Sequence, residues 1–422
     1  MSVLNVTGGC KVVGEIVASG AKNSALPIMC SVLLLEGVVN LSRVPNLQDV
    51  TNLIEILGIL GVKFLIKDNG DLVVDACAVS EYNPPHQLVS KMRASFLVLG
   101  PLLARFKQAK VSLPGGCAIG SRPVDMHIYG LQQLGATIEI KDGYVHAVAP
   151  AGGLIGGEVE FSCPSVTATE NIIMAAVLAV GKTVIKGAAQ EPEVLDLANF
   201  LNSLGAKIQG AGTETITIEG VKKLISGGSY SIMGDRIEAG TFLIAAAMTK
   251  GNIKVSGIDP ILLESPIDHL KQAGAEIATG KDWVSLNMQD RELTAVSIVT
   301  EPYPGFPTDL QAQWLALNIV AKGASKVKEQ VFENRLMHVN YLNKMGAGLE
   351  INKQVVSCDG GMRLQASEVE ATDLRASACL LLSGLVATGV TKIYNVYHID
   401  RGYEYIESKF AMLGCEVVRS DY

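Results

Sequence analysis

The sequence predicts an α/β protein of two pseudo-symmetric domains, each made of three βα repeats packed around buried helices. Three observations carry that prediction. A helix end, a glycine, a small residue and a strand recur six times, at Leu60-Gly61-Val62, Leu134-Gly135-Ala136, Leu204-Gly205-Ala206, Ala273-Gly274-Ala275, Met345-Gly346-Ala347 and Leu413-Gly414-Cys415. These glycines are 74, 70, 69, 72 and 68 residues apart, so six copies of a roughly 70-residue unit account for the chain. Each copy begins with an apolar helix, and a unit this small cannot bury both of its faces alone. With 422 residues, of which 48% are hydrophobic and 18% charged, the chain can fill two or three cores but exceeds one ordinary core.

Taken in order, the apolar helices are expected over residues 25–35, 94–105, 170–180, 239–250, 310–322 and 374–388. Each leads into a β-branched strand, as at 38–41, 183–185 and 390–393. A second helix follows, often announced by an acid or a proline as in Glu191-Pro192-Glu193. It stops at the glycine of the signature, where the left-handed backbone costs a glycine least, and a strand such as 137–140 begins. The junction between copies three and four is expected near Gly227-Gly228-Ser229, and the domains are drawn as 22–233 and as 1–21 plus 234–422. A single solenoid is the competing architecture. Polar residues at the same helix start in every copy favour two domains flanking a cleft.

A net charge of −7 argues against general nucleic-acid binding, which needs a basic excess. No apolar run approaches the ~18 residues of a membrane span, and Met1-Ser2-Val3-Leu4-Asn5 has neither part of a signal peptide, so the protein is expected to be cytoplasmic, without membrane insertion. The eight cysteines show no disulfide-framework spacing, and most lie in apolar contexts that predict core positions. The six histidines form no ligand motif, so no metal is expected.

The chemistry-bearing stretch is Pro114-Gly115-Gly116-Cys117-Ala118-Ile119-Gly120-Ser121-Arg122-Pro123-Val124-Asp125, a glycine-rich loop between two prolines. A cation near a thiol favours the thiolate, which makes Cys117, five residues from Arg122, a candidate acid, base or nucleophile; an inert small cysteine in a turn is the equal alternative. The apolar helices start with polar groups: Lys22-Asn23, Arg93, Thr169-Glu170, Arg236-Ile237-Glu238, Thr308-Asp309 and Asp373-Leu374-Arg375. Helix N-termini attract anions, and a cation placed there opposes the dipole unless something negative is bound. Asp309 has an alternative task, capping the helix that follows. Arg122, Arg335 and Arg401 occupy matching places in copies two, five and six.

These residues resemble the enolpyruvyl transferases. The resemblance is carried in order by Ser19-Gly20-Ala21-Lys22-Asn23, Met92-Arg93-Ala94-Ser95, Leu113-Pro114-Gly115-Gly116-Cys117, Arg122-Pro123-Val124-Asp125, Phe306-Pro307-Thr308-Asp309, Phe332-Glu333-Asn334-Arg335, Thr372-Asp373-Leu374-Arg375-Ala376-Ser377 and His398-Ile399-Asp400-Arg401-Gly402-Tyr403. It is closest to the Cys-bearing members that act on UDP-N-acetylglucosamine. The aromatic-biosynthesis relatives, which act on a shikimate-type acceptor, share the sixfold architecture but lack the Cys loop. A non-catalytic sugar-nucleotide sensor is the alternative of a different class.

The resemblance implies an inside-out α/β barrel fold, the enolpyruvyl transferase fold, with the residues before Lys22 joining the C-terminal half. It implies transfer of the enolpyruvyl group of phosphoenolpyruvate to the 3-hydroxyl of UDP-N-acetylglucosamine with release of phosphate, the first committed step of peptidoglycan precursor synthesis. Domain closure on the ligand and covalent inhibition by fosfomycin at Cys117 are implied with it, and it implies no organic cofactor. On this reading Asp309 is the general base and Cys117 the general acid. Lys22, Arg122 and Arg401 hold phosphoenolpyruvate, supported by Arg335 and Arg375. The nucleotide lies along Arg122, Pro123, Val124, Asp125, Met126, Ser165, Val166 and Val331, with Arg93 toward the diphosphate, and Asn23 and Asp373 are further substrate-binding positions. Two positions depart from the pattern: Thr167 stands where a glycine follows Ser-Val, and Gln48 where some members carry Lys.

Overall fold

The computed structural model describes residues 2–68, 70–89, 92–115 and 124–421. The chain divides between Ser19 and Gly20 and again between Met233 and Gly234. The segment between these cuts is the middle unit, and the segments outside them form the terminal unit.

In each unit three apolar helices form the centre and three small sheets the outside. The middle unit is centred on α1 (Lys22–Ser31), α2 (Leu99–Phe106) and α3 (Val166–Ala176), with 3-10 turns Val32–Leu34 after α1 and Arg93–Val98 before α2. The terminal unit is centred on α4 (Arg236–Met248), α5 (Gln311–Val320) and α6 (Leu374–Val386). α4 is buried along its whole length, as expected of a helix apolar on every side. Each unit has its own contiguous apolar core, which a solenoid would not have. Phe96 and Phe200 are among the largest fully buried side chains of one, and Trp314, Phe242 and Phe410 of the other. Burial of each contributes about 1.5–3 kcal/mol.

The sheets repeat one plan. In the middle unit Val38–Ser42 pairs antiparallel with Leu72–Asp75 and parallel with Ser229–Ser231, and Lys182–Lys186 pairs antiparallel with Thr215–Glu219 and parallel with Glu158–Glu160. The remaining sheet is the antiparallel set Gln108–Ser112, Tyr144–Val148 and Thr137–Lys141. In the terminal unit Ser2–Thr7 lies between Val390–Tyr394 and Val417–Asp421, and Val13–Val17 runs parallel to Asn252–Ser256. The first strands of the chain thus complete sheets made by its second half.

All six signature glycines have positive φ, between 81° and 104°, at the stop of an outer helix. A Cβ at Gly61 would come within 2.5 Å of the Ala78 carbonyl oxygen, so backbone and space both demand glycine there.

Gly227-Gly228-Ser229 lies just before the division after Met233, and its serine opens a strand that extends the Val38–Ser42 sheet. One expectation needs correction. Cys10 and Cys415 form a disulfide across 405 residues of sequence. A spacing rule built for short frameworks cannot register a pair that is assembled when the first strand enters the last sheet. Cys30, Cys358 and Cys379 are buried as expected, whereas Cys77 and Cys163 are exposed.

Candidate functional site

In the terminal unit, packing fixes the segment before α5. The Phe306 ring meets Trp314 and His269 edge-on, each at 5.2 Å between centroids, and Trp314 Nε1 donates to the Val296 carbonyl at 2.9 Å. This anchor presents Thr308 and Asp309 at the start of the helix. Asp309 does not cap it. Its Oδ1 accepts from Arg335 Nη2 at 2.7 Å and its Oδ2 from Arg375 Nη2 at 2.6 Å. Both guanidinium groups are nearly buried, while the Asp309 side chain is 23% exposed.

Asp309, Arg335 and Arg375, 66 residues apart at the widest, form one cluster. Burial alone would raise the Asp309 carboxyl, but Arg375 and then Arg335 outweigh it and hold the group well below the usual carboxylate range. Burial would lower Arg375, and Asp309, joined by Tyr403 and Asp235, more than reverses that. With both its oxygens occupied by guanidiniums, the ionised Asp309 is a weak base.

The segment carrying Arg335 is organised by Glu329, which is fully buried. Its carboxylate accepts from Thr300 Oγ1 at 2.9 Å, Thr308 Oγ1 at 2.8 Å, and the backbone N–H groups of Val331 and Phe332 at 2.8 and 3.1 Å. Thr308 Oγ1 in turn accepts from Arg335 Nη1 at 2.8 Å. Four hydrogen bonds satisfy a buried carboxylate that would otherwise be very costly. Sequence reasoning missed Glu329; its signal was an acid directly after the alternating strand Ser325–Lys328.

Asp373 sits at the N-cap of α6 and accepts from the N–H groups of Arg375 and Ala376 at 2.8 and 3.0 Å, which fixes the start of the helix that carries Arg375. Val331 is exposed. Arg401 ends the 3-10 turn Val396–Arg401, half-buried, and its charge adds to burial in lowering His398.

In the middle unit, Lys22 opens α1, nearly buried, and its Nζ contacts Asp49 Oδ2 at 3.3 Å. Asn23 beside it is exposed. Ser24 Oγ donates to Asp196, which also accepts from Tyr230 OH at 2.6 Å. Arg93, Phe96, Leu97, Val124, His127 and Thr167 line a small cleft. Asp125 and Met126 begin the helix Asp125–Gln133 below it. Ser165 occupies the N-cap of α3 without a side-chain cap bond, and Val166 is the first helical residue. Gln48 bonds Asn52 on the surface at 3.1 Å.

His127, which sequence reasoning passed over, organises this cleft. Asn171 Oδ1 accepts from the Gly100 N–H at 2.7 Å, so its Nδ2 faces His127 Nδ1, at 2.9 Å. Nδ1 is therefore an acceptor, and the proton lies on Nε2, which donates to Thr167 Oγ1 at 3.2 Å. Burial, followed by the Arg93 charge, pushes the imidazole down to about 3. Asn171 was the available signal, an amide beside Thr169 and Glu170 in a helix whose later turns are apolar.

Cys117, Arg122 and Pro123 lie outside the described residues. Among the described residues no helix is long and apolar enough to cross a membrane.

A family model described as EPSP synthase (3-phosphoshikimate 1-carboxyvinyltransferase) matches residues 6–410. The crystal structure of the enolpyruvyl transferase NikO from Streptomyces tendae superposes with a TM-score of 0.88, covering 99% of each chain at 24% identity. EPSP synthase from Acinetobacter baumannii gives a TM-score of 0.76 over 100% of each chain at 17% identity, and a second structure of that protein gives 0.76 at 16%. At such identities the likeness is one of fold.

Proposed function

We propose that this chain, which belongs to the EPSP synthase family of enolpyruvyl transferases, transfers the enolpyruvyl group of phosphoenolpyruvate to the 3-hydroxyl of UDP-N-acetylglucosamine with release of phosphate. The observation that carries the chemistry is the ionised Asp309 between Arg335 and Arg375. The choice of acceptor rests on the Cys-bearing stretch 113–117 with 122–125. The product would feed cell-wall precursor synthesis, and so cell shape and division.

The sugar oxygen attacks C2 of the enol as its proton passes to Asp309, and C3 takes a proton from the Cys117 thiol. The tetrahedral adduct then loses a C3 proton and expels phosphate. Asp309 gains basicity when the carboxylate or phosphate of phosphoenolpyruvate takes over part of the guanidinium bonding that now occupies both its oxygens. Lys22, Arg122 and Arg401 supply further fixed cations for the anionic substrate, and preorganised donors of this kind contribute about ten- to a thousandfold each.

A shikimate-type acceptor is the second reading, favoured by the family description. Phosphate release measured with phosphoenolpyruvate and each acceptor separates the possibilities. Release with UDP-N-acetylglucosamine alone supports the proposal, and release with 3-phosphoshikimate alone overturns the acceptor. No release with either leaves a binding protein. Fosfomycin sharpens the assignment of Cys117: peptide mapping should find the label there and on none of Cys30, Cys77, Cys163, Cys358 or Cys379. Burial pushes the thiols of Cys30, Cys358 and Cys379 up, and Asp75 does so for Cys77. Cys117→Asp should resist the label and keep much activity, because a carboxylic acid still delivers a proton.

A further inference from the structure

We infer that Tyr403, together with Gln313 and Thr241, is the positioning device that holds the Arg375 guanidinium in the orientation that pairs it with Asp309. The inference rests on the reading of Asp309 as the base. All three side chains are buried, and each comes from a different repeat of the terminal unit: Thr241 from α4, Gln313 from α5, and Tyr403 from the segment after Val396–Arg401.

The direction of the hydrogen bonds follows from the donors available. Thr241 Oγ1 donates its single proton to the Ile237 carbonyl at 2.8 Å. It can therefore only accept from Tyr403 OH, at 2.9 Å, so the phenol proton points at Thr241. The phenol oxygen is left with lone pairs, and two donors face it: Gln313 Nε2 at 3.2 Å and Arg375 Nη1 at 3.4 Å. The amide nitrogen of Gln313 also lies 3.1 Å from Thr241 Oγ1 and 3.1 Å from the Asp309 carbonyl oxygen. One network thus touches the Asp309 backbone through Gln313 and the Asp309 carboxylate through Arg375.

Arg375 is thereby held at two points. Nη2 bonds Asp309 at 2.6 Å, Nη1 faces the phenol oxygen, and the guanidinium carbon lies 5.8 Å from the Tyr403 ring centroid. Burial keeps the phenol protonated and able to donate. Without the Tyr403 oxygen, nothing in this network stops the guanidinium turning about its own axis, and its short bond to Asp309 loosens. The other charged groups bearing on Asp309 are Arg335 by direct contact, Asp235 through its field on Arg375, and His338 and Asp373 around Arg335. None of them replaces the Tyr403 oxygen.

The test is a carbon-13 NMR titration of the Asp309 carboxyl in protein labelled at aspartate, assigned by the signal lost in Asp309→Asn. In Tyr403→Phe, which keeps the ring and removes the acceptor, the titration should move up by about one pH unit, a tenfold change in the protonation ratio. The acid limb of kcat/KM should move with it. Thr241→Val should shift both in the same direction, and Thr241→Ser, which keeps the hydroxyl, should leave the limb in place. A merely structural role would lower the melting temperature and leave the titration unmoved. An unmoved titration in folded Tyr403→Phe overturns the inference, and if that variant does not fold, an unmoved titration in Thr241→Val overturns it equally. A shifted titration in a protein that transfers nothing upholds the positioning role and removes the function assigned to Asp309.

Discussion

The two units keep buried polar side chains in place by opposite means. In the middle unit His127 gives up its charge: it is buried beside the cationic Arg93, and a neutral imidazole bonded to Asn171 and Thr167 costs least. In the terminal unit Asp309, Arg335 and Arg375 keep theirs, because one carboxylate between two guanidiniums offsets the loss of water. A neutral network holds its shape as a ligand arrives. A charged cluster can exchange partners with an anionic ligand.

The largest effect expected breaks the charged side of this comparison. Asp309→Asn keeps the shape, removes the base and leaves two guanidiniums with a neutral partner. Turnover should fall by about 100- to 10,000-fold, the range of a general base, with UDP-N-acetylglucosamine affinity nearly intact by calorimetry. Wild-type turnover in this variant would remove Asp309 from the chemistry. Acid unfolding supplies a second readout. The folded Asp309 value is depressed, so its contribution to stability is complete above the unfolded carboxylate value of about 3.9 and is lost as pH falls below that through the folded value. The asparagine variant should lack this acid loss.

The neutral side is broken by protonation. The folded value of His127 is about 3 and the unfolded value about 6.5, so between them the unfolded chain binds the extra proton. His127 then contributes fully to stability above about pH 6.5, and that contribution drains away as pH falls toward 3, by on the order of 5 kcal/mol in total. His127→Gln should flatten the stability curve between pH 6.5 and 3 in urea titrations. A curve with the wild-type slope would mean that His127 is not the group being protonated.

What the sequence made legible was what local pattern controls. Six apolar helices and six glycine stops could be read because periodicity and a left-handed stop are decided within a few residues, and Gly61 and Gly346 carry the same signal in different units. Asp309 and Arg375 could be singled out by residue type at a helix start, but not as partners. Their pairing spans 66 residues, and the Thr241–Tyr403 bond behind them spans 162. The alternative cap role of Asp309 failed for the same reason: two guanidiniums brought from elsewhere in the fold outcompete the local N–H groups. Gln313 and Asn171 left a fainter trace, an amide in the first turns of a largely apolar helix, whose meaning appears only when the other helices of the unit arrive.

The smallest effect expected concerns Thr167, where the resemblance has glycine. Its hydroxyl accepts the His127 Nε2 proton, so its own proton is left to point elsewhere, and Arg93, Val124 and His127 line the same cleft. Thr167→Val keeps the branched shape and removes the hydroxyl. That leaves a buried imidazole N–H without an acceptor, at a cost of about 1–3 kcal/mol of stability. Thr167→Ser keeps the hydroxyl and should cost little. If the spare proton meets the nucleotide, the valine variant should also bind UDP-N-acetylglucosamine several-fold more weakly, with KM for phosphoenolpyruvate unchanged. The two effects separate by experiment: a loss of melting temperature with unchanged nucleotide affinity would make Thr167 a support for His127 only. Unchanged values of both would mean that the His127 to Thr167 contact contributes nothing, and the neutral network would reduce to His127 and Asn171.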